Sequence, residues 1–406
     1  MATEPYRVAL MLDLEWAHKR HTGIFVGTQQ FAREQGWHSV IDEYAGEELP
    51  VRVGRTTALP YDGVLGRVSR KLAERAGRLG LPVVNVWFNS PVWKRVPGIF
   101  GDFEAAGHLV AEHLLSRGLR QFAAIGPTER SVRFAARGFR DVLNEAGFPC
   151  VIGTHPPRTA QTYANWQKVR RRIEGWMDDW EPPIGVHVGT EEVGRLLVQL
   201  CHRRGWRVPA DVAIVAGYNE PTLCEHPRPS LSSVELGYER IGYEAAQLLH
   251  GLMEAQQSRR GRGGRKQSES SAEAEQIFLP PRGLVIREST DFVVPDDELV
   301  AAALQFICEN AHRPISRDEV AKAVFAETRT LQNRFRKCLE RPIAAEIRRV
   351  RIERAKRELA DGSRSLAEIS DAVGFGPVAR LHQVFRREVG VTPGEYRRQW
   401  LKSNGG

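Results

Sequence analysis

Two similar segments near the end of the chain constrain its fold more than any other feature of the sequence. In the first, Ser316 precedes RDEVAKAV, a short turn FAE follows, and Thr328 opens TRTLQNRFRKCL. Serine and threonine suit the N-cap of a helix, because their hydroxyl accepts a hydrogen bond from a free amide of the first turn. The segment therefore predicts two short helices joined by a tight turn, that is, a helix-turn-helix unit.

The second segment repeats this pattern about fifty residues later. Ser365 precedes LAEISDAVGF, and a glycine-containing turn leads to Pro377, which lies where a first helical residue would. Between the two units, IAAEIRRVRIERAKRELADG keeps apolar residues at helical spacing and ends at Gly362, a favourable stop for a helix. We therefore expect two helix-turn-helix units within residues 313–398, joined by one long helix.

The second helix of each unit has an apolar side and a polar side. Leu331, Phe335 and Leu339 repeat every four residues, so they share one buried face, and the later helix has the same pattern. The outward side chains are hydrogen-bond donors and acceptors of the kind that pair with base edges and phosphates. The DNA-binding candidates are Arg329, Thr330, Gln332, Asn333 and Arg336 in the first unit, and Arg380, His382 and Gln383 in the second.

The excess positive charge of the chain lies in the same stretch. Residues 313–406 hold 21 lysines and arginines against 12 acidic residues, a net charge of +9. The rest of the chain holds 37 basic residues (58 minus 21) and 38 acidic residues (50 minus 12), so it is nearly neutral. A basic module on a neutral body is typical of a domain that faces phosphates, whereas a uniformly basic chain would suggest a membrane surface or nonspecific polyanion binding.

Four motifs in this stretch resemble the DNA-binding domain of the AraC/XylS family of bacterial transcription regulators. They are FRKCLERP, IRRVRIERAKREL, LAEISDAVGF and VFRREVGVTPGEYR, and they span most of residues 313–398. One departure lies at the start of the last recognition helix. Where the family has a polar, serine-rich start and an aromatic residue, this chain has Pro377, Val378, Ala379 and Leu381. The resemblance implies a domain that binds operator DNA.

Residues 7–290 alternate short apolar runs with helical patterns. Runs such as RVALML, DGVLGRV and DVAIVAGYN predict strands, and stretches such as EEVGRLLVQLCHRRG predict amphipathic helices. This alternation builds parallel sheets covered by helices, and the length suits two sheets better than one. We therefore expect a two-lobed α/β domain over residues 1–292 and an all-α domain with two helix-turn-helix motifs over residues 293–406, the latter beginning with a helix in DDELVAAALQFICENA.

The order of segments in the first domain resembles the periplasmic-binding-protein-like fold (type I) of LacI/GalR effector domains. The phrases that carry this resemblance are HLVAEHLLSRGLRQFAAIG, GWRVPADVAIV, PSLSSVELGYERIGYEAAQLL and LPPRGLVIRESTD. Together with the tail, the chain resembles AraC-family regulators of the xylose-operon-regulator type. The resemblance implies a small sugar effector held between the lobes, a homodimer, and contact with RNA polymerase if the protein activates transcription.

The ends of the predicted strands nominate residues for a ligand site, because ligands of open α/β sheets bind at the carboxyl ends of the strands. A sugar site needs planar polar groups for adjacent hydroxyls and an aromatic face for the ring. The candidates are Asp13, Trp16, Trp87, Arg133, Glu191, Tyr218, Asn219 and Glu220.

Several of these residues also fit a structural role. Trp16, like Trp93 in a nearby loop, suits the lobe interface as well as it suits ligand stacking. Asp13 could cap the helix that follows it, and Arg133 could pair with Glu129 at the surface.

Asn219 and Glu220 match part of a motif that the resemblance brings to this position. Xylose-type regulators carry Asp-Asn-acidic after this strand, and here Tyr218 replaces the aspartate. Glu191 likewise stands where the family commonly has aspartate. Because a lost carboxylate removes an acceptor for a sugar hydroxyl, the effector stays open between xylose, a related pentose, another monosaccharide and a modified sugar.

Residues 255–276, AQQSRRGRGGRKQSESSAEAEQ, have no apolar periodicity and begin with a cluster of basic residues. We expect a disordered surface loop inserted between a helix and the strand IFLPPRGLVI. An arm that contacts DNA is the alternative.

Other classes of protein find little support in the sequence. The five cysteines form no C-x-x-C pair, and no catalytic or metal-binding motif is present, so we expect no enzyme activity, cofactor or metal. No secretion signal precedes RVALML, and no apolar run approaches the ~20 residues of a membrane helix, so we expect a cytoplasmic protein. The remaining alternative is a cytoplasmic α/β protein that binds or modifies carbohydrate, which would leave the basic tail without a role.

Overall fold

The computed structural model describes residues 5–14, 19–50, 59–155, 162–261, 274–291, 297–339, 341–361 and 364–404. The chain divides into two compact units, residues 1–292 and residues 293–406. In the described ranges, the first unit is α/β with two sheets and the second is entirely helical, which agrees with the predicted fold class.

The first lobe of the α/β unit is a six-stranded parallel sheet covered by helices. Its elements are β1 (Arg7–Met11), α1 (Lys19–Gln35), β2 (His38–Ile41), α2 (Ala45–Glu48), β3 (Gly63–Gly66), α3 (Arg70–Leu79), β4 (Val83–Asn85), β5 (Gly98–Gly101), α9 (Tyr238–Gly261) and β11 (Gln276–Leu279). The strand order is β11-β5-β4-β3-β1-β2. Strands β3, β4 and β5 are buried throughout, as expected for parallel strands with helices on both faces.

The second lobe repeats this architecture. Its elements are α4 (Phe103–Ser116), β6 (Gln121–Pro127), α5 (Arg130–Glu145), β7 (Cys150–His155), α6 (Tyr163–Met177), β8 (Ile184–Val188), α7 (Glu191–Arg203), β9 (Val212–Ala216), α8 (Pro221–Glu225), β10 (Ser232–Glu235) and β12 (Gly283–Val285). The order is β12-β10-β9-β8-β6-β7, and only β12 pairs in the antiparallel sense among the described strands. The chain crosses between the lobes after β5, after β10 and after β11.

Three details differ from the sequence prediction. The run IFLPPRGLVI is two strands, β11 and β12, which belong to different sheets; Pro280 and Pro281 separate them, since proline has no amide for a sheet ladder. Strand β5 was not predicted, because the short run GIFG has a glycine at each end. Helix α9 continues to Gly261, so residues 255–261 are helical and not part of a loop. Residues 262–273 of that predicted loop lie outside the described residues.

The second unit is a chain of helices. They are α10 (Glu298–Asn310), α11 (Arg317–Ala323), α12 (Thr328–Leu339), α13 (Ile343–Asp361), α14 (Leu366–Ala372), α15 (Val378–Val389) and α16 (Pro393–Asn404). Helices α11 and α12 form one helix-turn-helix unit, α14 and α15 form the other, and α13 connects them. Buried apolar residues at helical spacing, such as Leu331 and Phe335 in α12 and Leu381 and Phe385 in α15, form the cores.

The predicted helix starts are partly correct. Ser316 and Ser365 are N-caps, and each forms a reciprocal capping box with a glutamate three residues later. Thr328 is not an N-cap: it is the first residue of α12, and its hydroxyl donates to Asp318 Oδ1 at 2.9 Å. Pro377 occupies the N-cap position of α15, one residue before the predicted place.

Candidate functional site

A cavity lies between the two lobes of the α/β unit, where the carboxyl ends of strands from both sheets meet. It measures about 70 Å³. A cavity needs at least about 10–15 Å³ of such volume to hold one water molecule, so this one has room for a few waters. Its aromatic lining comes from both lobes and consists of Trp87, Phe88, Phe100, Phe103, Tyr218 and Tyr238.

The polar lining of the cavity is rich in hydrogen-bond donors. Arg20 of α1 and Arg67, just after β3, contribute guanidinium groups from the first lobe. The Arg67 guanidinium lies 4.9 Å from the centre of the Trp87 ring, a cation–π geometry, and 3.4 Å from Asp13 Oδ2. Asn89 and Ser131 add polar groups from opposite lobes, and His21 also lines the cavity.

Side chains around the cavity join the lobes directly. Asn89 of the first lobe donates to Glu129 Oε2 at 2.9 Å and accepts from the Ser131 amide at 3.0 Å. Arg130 of the second lobe donates to the carbonyls of Phe88 and Ser90. The Ser131 hydroxyl in turn lies 3.1 Å from the Tyr218 hydroxyl. A ligand in the cavity would therefore touch the same residues that hold the lobes together.

A second bridge joins the lobes at the start of α1. The backbone amide of Lys19 donates to Glu220 Oε2 at 2.7 Å, and the ammonium group of the same lysine pairs with Glu235 at the end of β10. Glu220 thus accepts a hydrogen bond from the first described amide of α1. Both carboxylates already have protein partners.

Asn219 is the centre of a buried network and is only 5% exposed. Its Oδ1 accepts from Ser233 Oγ at 2.9 Å and from Arg287 Nη2 at 2.8 Å. Its Nδ2 donates to Glu235 Oε2 at 2.8 Å. The backbone of Asn219 has a φ of +50°, which asparagine tolerates better than most residues. Asn219 therefore fixes the turn after β9 and the neighbouring strand β10.

Glu191 lies beneath the same turn. It is 3% exposed, and its Oε1 accepts a hydrogen bond from the Tyr218 amide at 2.7 Å. Burial raises the pKa of the Glu191 carboxyl to about 7, although the amides that it accepts from oppose this shift. Glu191 braces the Tyr218 loop and is not among the residues that line the cavity.

The structure thus places the predicted ligand residues in different surroundings. Trp87 and Tyr218 line the cavity, and Asp13 lies one contact behind it through Arg67. Glu191, Asn219 and Glu220 are engaged in the bonds described above. Trp93, the structural alternative, packs edge-on against Phe88 with ring centres 5.0 Å apart, so it covers the lobe interface. Trp16 lies outside the described residues.

Arg133 lines a different cavity, inside the second lobe. This cavity measures about 220 Å³ and lies between α5 and the ends of β6, β7 and β8. Its inner wall includes His187, whose Nδ1 donates to the Val215 carbonyl at 3.2 Å. Arg133 therefore does not line the interlobe cavity with the other ligand candidates.

Sequence reasoning did not select Arg20, Arg67, Ser131 and Tyr238. Arg67 lies at the end of the predicted strand DGVLGRV and Ser131 follows QFAAIG, so the rule of strand ends could have found both. Arg20 belongs to α1 and Tyr238 begins α9. Only the packing of these helices across the cleft brings them to the cavity.

The DNA-binding candidates lie on the polar sides of α12 and α15. The exposed ones are Arg329, Thr330, Asn333, Arg336, Arg380 and Gln383. Gln332 is half-buried, and its Oε1 is buried without a hydrogen-bond partner in the described structure. His382 is also half-buried. Each recognition helix therefore presents a row of exposed polar side chains.

Two further features of the described ranges concern metal binding and membrane crossing. No group of three or more His, Cys, Asp or Glu side chains is arranged to hold a metal ion there. No described helix has both the length and the apolar character needed to cross a membrane.

Comparison with known proteins assigns both units. The family model of the periplasmic binding protein-like domain matches residues 111–290, and that of a helix-turn-helix domain matches residues 320–399. The xylose operon regulatory protein of Escherichia coli K12 is 26% identical over 405 residues, covering 98% of each chain. The protein of the same name from Haemophilus influenzae is also 26% identical, covering 98% of this chain and 99% of its own.

A solved structure has the same fold along the whole chain. The structure of a xylose-binding transcription activator has a TM-score of 0.67 at 23% identity and covers 98% of this chain and 99% of its own. The order of the two units is therefore the same in both proteins. The chain is a transcription regulator rather than an enzyme, in which a periplasmic-binding-protein-like domain precedes a helix-turn-helix DNA-binding domain, and it is similar over nearly its whole length to the xylose operon regulatory proteins.

Proposed function

We propose that this regulator controls genes of sugar catabolism in response to a small carbohydrate bound in the interlobe cavity. The observation that carries the proposal is the cavity itself, which is lined by aromatic rings and by guanidinium, amide and hydroxyl groups from both lobes. Aromatic faces suit the apolar side of a sugar ring, and the polar groups suit its hydroxyls. The xylose operon regulators support the choice of ligand class, because they are similar over nearly the whole chain.

The effector would act through the bonds that join the lobes. Asn89 and Ser131 line the cavity and also bond to each other across it, so a ligand hydroxyl would compete with or extend that pair. A ligand shifts an equilibrium between open and closed lobes only by its difference in affinity for the two states. Contacts with both lobes provide this difference in favour of the closed state.

DNA recognition falls to the exposed side chains of α12 and α15. Arginine pairs bidentately with guanine, and asparagine or glutamine with adenine, in the major groove. We assign base recognition mainly to Arg329 and Asn333 of α12, with Thr330, Gln332 and Arg336 beside them. Arg380, His382 and Gln383 of α15 occupy the second groove segment, about one helical turn (~34 Å) away.

The remaining partners follow from this role. Regulators of this kind act where the chromosome is, so we assign the protein to the cytoplasm. We further propose that it binds as a homodimer, since operators with two half-sites match a twofold protein. Contact with RNA polymerase belongs to the proposal for the case in which the regulator activates transcription.

The ligand site is tested by a thermal-shift screen of the full-length protein against pentoses, hexoses and their derivatives. A ligand at a hundredfold its dissociation constant stabilises a protein by ~2.7 kcal/mol. Trp87→Ala, which removes an aromatic wall of the cavity, should raise the half-maximal ligand concentration at least tenfold. Arg133→Ala, in the separate cavity of the second lobe, is the matched control and should respond normally. If both variants lost the ligand response equally, or if neither lost it, the effector would bind elsewhere.

A further inference from the structure

The interlobe cavity contains an arginine that has no ion pair with the residues that the structure describes. Arg20 lines the cavity and is half-buried. Its Nε is buried and has no hydrogen-bond partner among the described residues. No carboxylate of the described ranges lies within ion-pair distance of its guanidinium. An arginine cannot lose its proton in a protein, so this positive charge persists at every physiological pH.

A second arginine adds positive charge to the same space. Arg67 faces the cavity beside Trp87, and its one ion pair here, with Asp13, is long at 3.4 Å. Burial lowers the pKa of Arg67, and the proximity of Arg20 lowers it further. His21, which also lines the cavity, has its pKa lowered to about 4 by burial and by Arg20, so it is neutral at pH 7. Two guanidinium groups thus line the cavity, and of these two only Arg67 has an ion pair within the described residues.

The described carboxylates around the cavity lie behind its lining, where each accepts from a protein donor. Glu129 accepts from Asn89, Glu191 from the Tyr218 amide, and Glu220 from the Lys19 amide. No aspartate or glutamate is among the described residues that line the cavity. A neutral sugar would therefore meet many donors and few acceptors, and it would leave the half-buried Arg20 guanidinium without an ion pair to any described residue. Such a charge is costly unless it is paired.

We propose that the natural effector is an anionic monosaccharide, a single-ring or open-chain polyol with one carboxylate or phosphate group that binds between Arg20 and Arg67. This inference rests on the proposed function, because it refines the class of ligand in the same cavity. Carboxylate and phosphate both pair bidentately with guanidinium groups. A singly charged carboxylate suits Arg20, the one of the two guanidinium groups without an ion pair among the described residues, so a sugar acid is the expected form, and the phosphate ester of the same sugar is the second source of the same chemistry.

The test compares matched ligands by calorimetric titration of the full-length protein. One series is xylose, xylonate and xylose 5-phosphate, and the other is glucose, gluconate and glucose 6-phosphate. In at least one series, an anionic member should bind at least tenfold more tightly than its neutral parent, and its affinity should fall with added salt because charge pairing is screened. The two anionic arms show whether the group is a carboxylate or a phosphate.

Variants then locate the charge. Arg20→Gln should remove at least tenfold of the anion's affinity and leave the neutral sugar's affinity unchanged, while Arg20→Lys should restore part of the loss. Arg133→Gln, an exposed arginine at the neighbouring cavity, is the control. Without ligand, Arg20→Gln should melt at the same temperature as the wild type or higher, because it removes an unpaired charge, whereas a purely structural role for Arg20 predicts a lower melting temperature.

The outcomes separate the inference from the function on which it rests. Neutral sugars binding as tightly as their anionic forms would overturn the anionic effector and leave the sugar-responsive regulator intact. Binding of the anion that is unaffected by Arg20→Gln would also overturn the inference. Failure of every sugar, neutral or anionic, in a screen extended to other pentoses and hexoses would overturn the proposed function itself.

Discussion

The two helix-turn-helix units of the DNA-binding domain are built alike up to their turns. Each first helix starts with a serine N-cap that forms a capping box. The turns also share their backbone hydrogen bonds: the Phe325 amide donates to the Lys322 carbonyl at 3.2 Å, and the Gly374 amide donates to the Asp371 carbonyl at 3.1 Å. Phe325 and Gly374 therefore occupy equivalent positions, and both have a positive φ, +53° and +85° respectively.

The first unit has phenylalanine at this position and the second has glycine. Glycine adopts positive φ without strain, whereas phenylalanine does so at a cost of roughly 1 kcal/mol or more. Phe325 is 99% exposed. In the second unit the aromatic residue comes one position later, as Phe375, and it is buried beneath the guanidinium of Arg351 at 5.9 Å.

The surroundings of the two turns account for the difference. A Cβ atom added at Gly374 would lie 2.4 Å from the Ala311 carbonyl oxygen, so the second turn packs directly on the backbone after α10. Arg351 reinforces this junction, since it donates to the Ala311 and Arg313 carbonyls at 2.9 Å each. The first turn faces solvent. Glycine is therefore required where backbone meets backbone, and it is dispensable where the turn is open.

Among the variants that test this difference between the turns, Gly374→Ala is expected to have the largest effect on stability. The added methyl group combines a strained φ with a collision against backbone atoms that cannot rotate away, so we expect a loss of about 2–4 kcal/mol of unfolding free energy. Urea unfolding of a fragment covering residues 293–406 would measure this loss. Phe325→Ala is the matched control and should change stability by less than ~0.5 kcal/mol. Similar losses in both variants would show that the two turns are not differently packed.

The next effect concerns base recognition by α12. Arg329→Ala and Asn333→Ala should each cost ~1–3 kcal/mol on the operator and relax the preference at single base pairs. Arg334→Ala is the control within the same helix, because Arg334 pairs with Asp297 of the adjacent helix start at 3.2 Å. A base-by-base scan of the operator with each variant is the measurement. An unchanged preference after Asn333→Ala would remove α12 from the main recognition role.

A smaller effect is expected from α15. Its helix begins with Val378 and Ala379, which suit the methyl group of thymine and offer no hydrogen bonds. Arg380→Ala should therefore act as the loss of a phosphate contact. It should reduce the slope of log affinity against log salt concentration by about 0.9, with little change in base preference. His382→Ala and Gln383→Ala should cost less than the changes in α12. Loss of specificity mainly at the second half of the site after Arg380→Ala would reverse the assignment of the two helices.

Much of the fold could be predicted from the sequence because the relevant signals are local. The caps Ser316 and Ser365 depend on a glutamate three residues later, and the buried faces of α12 and α15 depend on helical spacing. Thr328 shows the limit of such signals. Its hydroxyl had a tertiary partner, Asp318 of the preceding helix, and a sequence reveals no such partner.

The interlobe cavity was less predictable for the same reason. Strand ends selected Trp87 and Tyr218, which line the cavity, but they could not tell a carboxylate that faces the cavity from one that has a protein partner. Glu220 has such a partner in the Lys19 amide, 201 residues away in the sequence. Arg20 reaches the cavity only through the packing of α1 across the cleft. Long-range partners of polar groups, and not the residue types themselves, decided which predicted residues line the site.

The smallest expected effect is also the one that tests the comparison of the two turns most directly. If Phe325 is strained and its ring makes no stabilising contact, Phe325→Gly should stabilise the DNA-binding domain by about 0.5–1 kcal/mol, because relief of the positive φ exceeds the greater freedom that glycine gives the unfolded chain. The same urea unfolding would measure this gain, with Phe325→Ala separating the loss of the ring from the change of backbone. The operator affinity of both variants should be unchanged. A loss of stability in Phe325→Gly would mean that the turn is not strained, whereas a loss of operator affinity in both variants would mean that this exposed ring contacts DNA.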